Sequence, residues 1–330
     1  TPALYSIYNL CLHYLKQEFL KRPEIINKLT ESLLDICLKE RKGEQVQKSI
    51  LKNTIRMLTA LEMYDEVFSS PFLSASSVFY IEEGNRLIND NCDASTFLKN
   101  SQFRLDQVSA QVESYLDART RRPLLNVVEQ SLMLPHVSAI LTNEQRGFSN
   151  LMDDNKYSDL KLMHSLFIRL GPTIITELKN CFHSYCRDKG SVLVKDETRE
   201  KTVVKELLDL KEKLDKILIE SFSNNEAYKV ALKDALEIAV NSRNTSKLAE
   251  LIAKYADVKL KGEKGVTEQE AEEDLDKLIV LFRYLHSKDV FEAFYKKDLA
   301  KRLLKKGSVS SSSSSPSGGG GGGGGAPPPG

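Results

Sequence analysis

The residues best suited by type to metal or nucleophile chemistry are Cys181, His183 and Cys186. A zinc site needs such side chains to converge on one point. The surrounding pattern is helical, and at about 3.6 residues per turn Cys186 points about 140° and His183 about 200° away from Cys181. Because the three side chains diverge, we predict that the chain binds no metal and no cofactor.

Two other groups superficially resemble catalytic residues. Cys11 lies two residues before His13, but neither sits in a local motif typical of a cysteine nucleophile. Asp153 and Asp154 resemble the start of an aspartate-rich, diphosphate-binding motif, yet the later acidic ligands are missing. The chain has no glycine-rich phosphate loop before its C-terminal tail. We predict that the protein is not an enzyme and has no catalytic residues.

The charge balance argues against nucleic acid and membranes as partners. The 330 residues include 47 Lys and Arg against 46 Asp and Glu, a formal charge of +1, whereas both surfaces attract a basic excess. No apolar run approaches the roughly 18 to 20 residues that cross a bilayer. Five widely spaced cysteines and the lack of a secretory leader favour a reduced, intracellular protein.

The scarcity of turn residues predicts an all-α fold. Only eight Gly and six Pro precede residue 308, roughly a third of average usage. Amphipathic patterns predict about thirteen helices and no strand, with the first at residues 3–21 and the last at residues 288–305. Pro23 is expected to open the second helix and Gly43 to cap its end, while Pro135 should kink or end its helix.

Two polar stretches predict boundaries between helical bundles: residues 69–77 around Pro71, and residues 188–198 around Gly190. Their long spacing is typical of a helical repeat array. The predicted divisions are a partial repeat at residues 1–70, two repeats at residues 71–190 and 191–306, and a disordered Ser/Gly/Pro-rich tail at residues 307–330.

The last predicted helix is strongly basic. Residues 288–306 contain seven basic and three acidic side chains, beside an apolar face that includes Phe291 and Leu303. The excess charge fits either the solvated face of a packed helix or a surface that docks an acidic neighbour. The candidate docking residues are Lys296, Lys297, Lys301 and Arg302.

This segment, KDVFEAFYKKDLAKRLL at residues 288–304, resembles the end of the helical stalk of the cullin family, and its sequence is most similar to the cullin-4 type. Shorter matches occur upstream in the same order. They are Glu40-Arg41-Lys42-Gly43-Glu44, Phe79-Tyr80, Glu83-Gly84-Asn85-Arg86-Leu87, Tyr115-Leu116-Asp117, Pro123-Leu124 with Glu129, His136 and Ile140-Leu141, and residues 248–254.

The resemblance implies an elongated rod of cullin repeats, five-helix bundles stacked end to end. It also implies a function: a non-catalytic scaffold of a ubiquitin ligase that serves protein degradation in the nucleus and cytoplasm. Such a scaffold holds a β-propeller substrate adaptor of the damaged-DNA-binding type at one end and a RING-box protein at the other. Rigid spacing of two partners needs no catalytic residue of its own, which agrees with the residue analysis above.

Both docking ends are expected to lie outside this chain. Residues 3–21 resemble a later helix of the first repeat, and the Ser/Gly/Pro tail stands where the family continues into its C-terminal domain. No adaptor-contact residue and no modified lysine can therefore be assigned, and residues 1–306 are expected to bind neither partner tightly. The alternative is a helical-rod interaction protein of another class, such as a vesicle-tethering subunit, which has no reason to carry the string at residues 288–304.

The amphipathic assignment of residues 288–305 can be tested by two substitutions. Phe291→Ala removes an apolar side chain and should lower the free energy of unfolding by about 3–5 kcal/mol if this helix closes the third repeat. Lys297→Glu, on the solvated side, should change it by less than about 0.5 kcal/mol. Thermal melts followed by circular dichroism give the ranking, and the reverse order would mean that the two faces are misassigned.

Overall fold

A computed structural model describes residues 7–261 and 268–310, and all regular secondary structure within these ranges is helical, as predicted. There are fifteen α-helices in the described residues. They are α1 (Ile7–Leu20), α2 (Pro23–Arg41), α3 (Lys48–Ala60), α4 (Ser70–Asn89), α5 (Ala94–Ser114), α6 (Arg121–Val128), α7 (Val137–Thr142), α8 (Phe148–Asp153), α9 (Tyr157–Leu170), α10 (Pro172–Lys195), α11 (Val203–Ser221), α12 (Glu226–Val240), α13 (Thr245–Lys261), α14 (Glu268–Tyr284) and α15 (Lys288–Ser310).

The helices group into two compact units. Of the described residues, the first unit contains 7–185 together with Lys216–Ala231, and the second contains Cys186–Asp215 together with 232–261 and 268–310. The division into repeats at residues 70 and 190 stays a prediction. At the C-terminus, α15 runs through Ser310, and the division at residue 307 likewise stays a prediction. Residues 311–330, where most of the predicted disorder falls, lie outside the described residues.

The sequence signals for α2 are confirmed at both ends. Pro23 occupies its first turn, where a missing N–H leaves no hydrogen bond unmade. Gly43 follows the helix with φ +87°, a conformation that costs glycine little. The amides of Gly43 and Glu44 donate to the carbonyls of Glu40 and Lys39, at 2.9 and 3.0 Å, and so satisfy the helix end.

Residues 69–77 are helical, so the predicted connection there is wrong. A π-helical turn, Asp65–Ser69, leads directly into α4. Pro71 has no N–H to offer the carbonyl of Val67, and its ring would crowd that carbonyl in a regular α-helix. The wider π turn accommodates the proline, and Thr30 Oγ1 donates to the Val67 carbonyl at 2.8 Å. Ser74 donates to the carbonyl of Ser70 within the helix, so its hydroxyl has a partner that leaves the backbone helical.

Pro135, like Pro71, follows a π-helical turn. A second π-helical turn, Glu129–Met133, and a 3₁₀ turn, Leu134–His136, separate α6 from α7. The predicted break at Pro135 is therefore confirmed.

This helical path, Ala118–Thr142, is long and apolar enough by length and composition to cross a membrane, contrary to the sequence expectation. However, 56% of its apolar window is buried within the protein. Leu124, Val128 and Leu132 are fully buried, which is the behaviour of a core helix.

The second predicted connection is also largely helical, because α10 continues to Lys195. Gly190 is a packing residue there. A Cβ built at this position would lie 2.7 Å from the Cβ of Ala239 in α12, and Ala239 is fully buried. Glycine thus permits two helix backbones to approach closely. The chain turns only at residues 196–202, where the Asp196 carboxylate accepts from the amide of Thr198 at 3.0 Å.

Gly190→Ala should destabilise the second unit. Alanine favours a helix by about 1 kcal/mol over glycine, but the contact with Ala239 adds an overpacking cost of about 1–3 kcal/mol. The clash should therefore outweigh the gain in propensity, and the midpoint of urea unfolding should fall. Adding Ala239→Gly removes the opposing Cβ and should restore much of the loss. A double variant no more stable than Gly190→Ala would contradict this account.

Candidate functional site

Two of the motifs that carry the family resemblance, residues 40–44 and 83–87, meet in the first unit at one buried polar cluster. Arg41 ends α2, Glu83 lies in α4 and Arg104 lies in α5. Their exposed fractions are only 5%, 5% and 8%, respectively. We call this cluster the Arg41–Glu83–Arg104 network. Charged residues are rarely buried without partners, so its contacts determine how the three helices meet.

The Arg104 guanidinium donates hydrogen bonds to the Glu83 carboxylate through two of its nitrogens. Its Nε lies 2.9 Å from Oε2 and its NH2 lies 2.6 Å from Oε1. The remaining NH1 donates to the backbone carbonyl of Arg41 at 3.2 Å and to Gln107 Oε1 at 2.8 Å. One side chain from α5 therefore contacts both α4 and the end of α2, and the bidentate geometry fixes the orientation of the pair.

Arg41 relies mainly on aromatic faces. Its guanidinium carbon lies 4.7 Å from the ring centre of Phe72, 5.6 Å from that of Phe79 and 5.3 Å from that of Tyr80. It also donates a short hydrogen bond to Ser76 Oγ. All four contacts come from α4, which clamps the end of α2 through cation–π attraction in a desolvated site.

Glu40, beside Arg41, connects the network to the end of α5. Its carboxylate accepts from Gln111 Nε2 at 3.2 Å and from Tyr115 Oη, and it pairs with Lys48 at 2.9 Å. Burial is the main cause that raises the pKa of Tyr115. Burial likewise raises the pKa of nearby Cys37 to about 12, so this thiol remains protonated at neutral pH and is a poor nucleophile.

Close packing explains why residue 84, next to Glu83, is a glycine. A Cβ at this position would lie 2.6 Å from His136 Nε2 and 3.2 Å from the carbonyl oxygen of Leu132. His136 is itself buried, which lowers its pKa, so the imidazole is neutral at physiological pH. The match residues Glu83-Gly84 and His136 therefore meet across α4 and the turn that follows α6.

In the second unit, the candidate docking residues of α15 have different environments. Lys296 pairs with Glu292 and Lys301 with Asp298 at 2.9 Å, both within the helix. The side chain of Lys297 is exposed. Arg302 instead pairs with Asp257 of α13, and these two side chains are only 15% and 9% exposed. Arg302 is thus engaged inside the unit, and the docking role of all four residues stays a prediction.

Asp257 is a functional candidate that sequence reasoning missed. Burial by itself raises its pKa, but hydrogen bonds and charges from Lys261 and Arg302 outweigh burial and leave the pKa lowered. The carboxylate is therefore ionised at neutral pH. Lys261 follows it at the i+4 position of α13, a spacing visible in the sequence, whereas the partner in α15 lies 45 residues away.

The apolar side of α15 is less buried than predicted. Phe291 is half-buried, with its ring centre 4.6 Å from that of Phe282 and 5.8 Å from that of Tyr295. These rings line a groove of about 390 Å³ with Leu278 and Ile279. Leu303, assigned to the apolar face, is 62% exposed. Truncating Phe291 therefore removes less apolar contact than truncating a fully buried phenylalanine would.

Comparison with known proteins gives this arrangement a family. The family model described as "Cullin alpha solenoid domain" matches residues 1–314. The chain belongs to the cullin family. Human Cullin-4A is 37% identical over 309 residues, which cover 93% of this chain. Cullin-4 of Dictyostelium discoideum is 36% identical over 92% of the chain, and Cullin-3A of Arabidopsis thaliana is 38% identical over 87%.

This cullin chain spans about 40% of the length of human Cullin-4A, 37% of the Dictyostelium protein and 40% of the Arabidopsis protein. The matched part is the α-solenoid, which agrees with the all-helical structure. Family membership accounts for the order in which the motif residues occur, and the structure shows what they do. Glu40, Arg41, Glu83, Gly84 and His136 position helices.

Several of the residues first considered for chemistry are buried or paired in this cullin. Within residues 7–261 and 268–310 no group of three or more His, Cys, Asp or Glu side chains is arranged to hold a metal ion. Cys186 is fully buried, and burial raises its pKa. The Asp153 carboxylate accepts a hydrogen bond from Tyr185 Oη at 2.7 Å, and Asp154 pairs with Lys156. Cys11 lies exposed on α1.

Glu83→Gln tests the Arg41–Glu83–Arg104 network. The substitution preserves shape but leaves the buried Arg104 charge without a carboxylate. Breaking such a pair costs about 3–5 kcal/mol, so the free energy of unfolding of the first unit should fall by about 3 kcal/mol. Glu82→Gln is the matched control. The Glu82 side chain, next to Glu83 in sequence, is exposed and should contribute less than about 0.5 kcal/mol to the free energy of unfolding. Equal effects in urea titrations would show that the network is not specially important.

Proposed function

We propose that this chain is the stalk of a cullin–RING ubiquitin ligase of the cullin-4 type, a non-catalytic scaffold that acts in the nucleus and cytoplasm. Its helices would form the end of the first cullin repeat and the second and third repeats. In the intact protein the stalk would space a β-propeller substrate adaptor from a RING-box protein. The single observation that carries this proposal is the match of the cullin α-solenoid model to residues 1–314.

The internal contacts support a spacing role. A spacer must keep its shape under thermal motion, and close packing with paired buried charges resists helix sliding. The Arg41–Glu83–Arg104 network ties α2, α4 and α5 together, and Gly190 allows α10 to lie tightly against α12. The arrangement therefore fits a scaffold that presents two partners at a set distance.

A chimera tests the proposal. Residues 7–304 would replace the matched segment of human Cullin-4A, and the product would be assembled with a RING-box protein and a β-propeller adaptor. We expect it to build ubiquitin chains on an adaptor-bound substrate at a rate within a few-fold of the parent. A fixed distance between the two ends is what the stalk would supply.

The matched control replaces the same segment with a Gly/Ser linker, which leaves the ends joined but flexible. This control should bind both partners yet transfer ubiquitin much more slowly. A folded chimera that transfers no faster than the linker control would contradict the stalk function. Circular dichroism of the chimera separates that result from simple misfolding.

A further inference from the structure

Helix α15 is attached to its unit without a fully buried side chain. Among its described side chains, residues 288–304, every one is at least partly exposed, and the buried core of the second unit ends at Leu285. The N-terminal half rests on the aromatic contacts of Phe282, Phe291 and Tyr295. Half-buried contacts of this kind give modest stability, so separate parts of the helix can open independently.

The C-terminal half has a different attachment. Leu303 and Leu304 are 62% and 76% exposed, and Lys301 pairs with Asp298 inside the same helix. The Arg302–Asp257 pair reaches across to α13, and both its side chains are largely buried. Lys261 of α13 also pairs with Asp257, but this second pair lies within one helix and does not connect α13 to α15.

Opening this half of α15 would separate the paired charges, remove the Arg302 guanidinium carbon from its position 5.7 Å from the ring centre of Tyr295, and expose the half-buried Leu299. Disrupting a buried ion pair is costly because the remaining charge loses its partner in a desolvated site. The ion pair therefore adds an electrostatic barrier to opening. The Phe282–Phe291 contact lies about three helical turns before Arg302.

We propose that the Asp257–Arg302 pair is a latch that decides whether the C-terminal half of α15 lies on α13. With the latch closed, the C-terminal half of α15 lies against α13 as the continuation of one helix. With the latch open, residues 296–304 separate while the aromatic contacts hold residues 288–295 in place. The latch is a property of this chain and stands whether or not the chain serves as a ligase stalk.

Hydrogen–deuterium exchange of the 330-residue chain tests the latch. In Asp257→Asn and in Arg302→Met, amides of residues 296–304 should exchange at least about tenfold faster, because local opening becomes easier. Residues 288–295 and α13 should keep their wild-type rates. Since the two residues form one contact, the double variant should exchange no faster than the faster single variant.

Two controls match the charge changes. Glu292→Gln removes an exposed pair within α15, and Lys261→Met removes the pair within α13 but leaves Arg302 with its carboxylate. Both should leave the exchange of residues 296–304 within about twofold of wild type, as expected for exposed or same-helix pairs.

Three results would overturn the latch. The first is unchanged exchange in both latch variants. The second is faster exchange spread evenly over α13, α14 and α15 together with a lower melting temperature, which would make the pair a general support of the unit. The third is wild-type exchange of residues 296–304 already at the rate of an unstructured peptide.

Discussion

A buried charge is costly unless it has partners, and in the first unit hydrogen-bond acceptors surround the Arg104 guanidinium. Glu83 supplies two acceptor oxygens, and the Arg41 carbonyl and the Gln107 side chain supply the other two. Each acceptor sits on a defined turn of α2, α4 or α5. Sliding any of these helices by one residue would strand a charge away from water, which costs several kcal/mol. Apolar packing alone discriminates less sharply between neighbouring registers, since one leucine can replace another.

The general fold could be predicted from the sequence because helix periodicity and the scarcity of Gly and Pro are local signals. Pro23 and Gly43 marked both ends of α2 for the same reason. Pro71 and Gly190 led to incorrect predictions of connections between helices, because each residue type has two structural uses. A proline ends a helix or sits behind a π turn, and a glycine bends a chain or admits a neighbouring helix. Which use applies depends on Thr30 in one case and Ala239 in the other, and neither is near in sequence.

The same limit governs the candidate site. The motif residues were found by their family pattern, but their convergence joins Arg41 to Ser76 and Glu83 to Arg104 across 35 and 21 residues. In α15 the sequence showed an excess of positive charge without showing where each charge goes. Lys297 is exposed as expected, whereas Arg302 is neutralised by Asp257. A net charge over a segment therefore overstates the charge available to a partner.

The two π turns also govern how the chain tolerates changes in length. Each holds one residue more than an α-helical turn of the same rise, while the helix beyond it stays in phase with the core. Loss of one residue within Asp65–Ser69 or Glu129–Met133 would convert the turn to regular α-helix and leave the following apolar face where it is. The same loss elsewhere in these helices would rotate everything downstream by about 100°. Related chains can therefore differ by single residues at these two turns and still bury the same faces, provided that the proline that follows is lost as well.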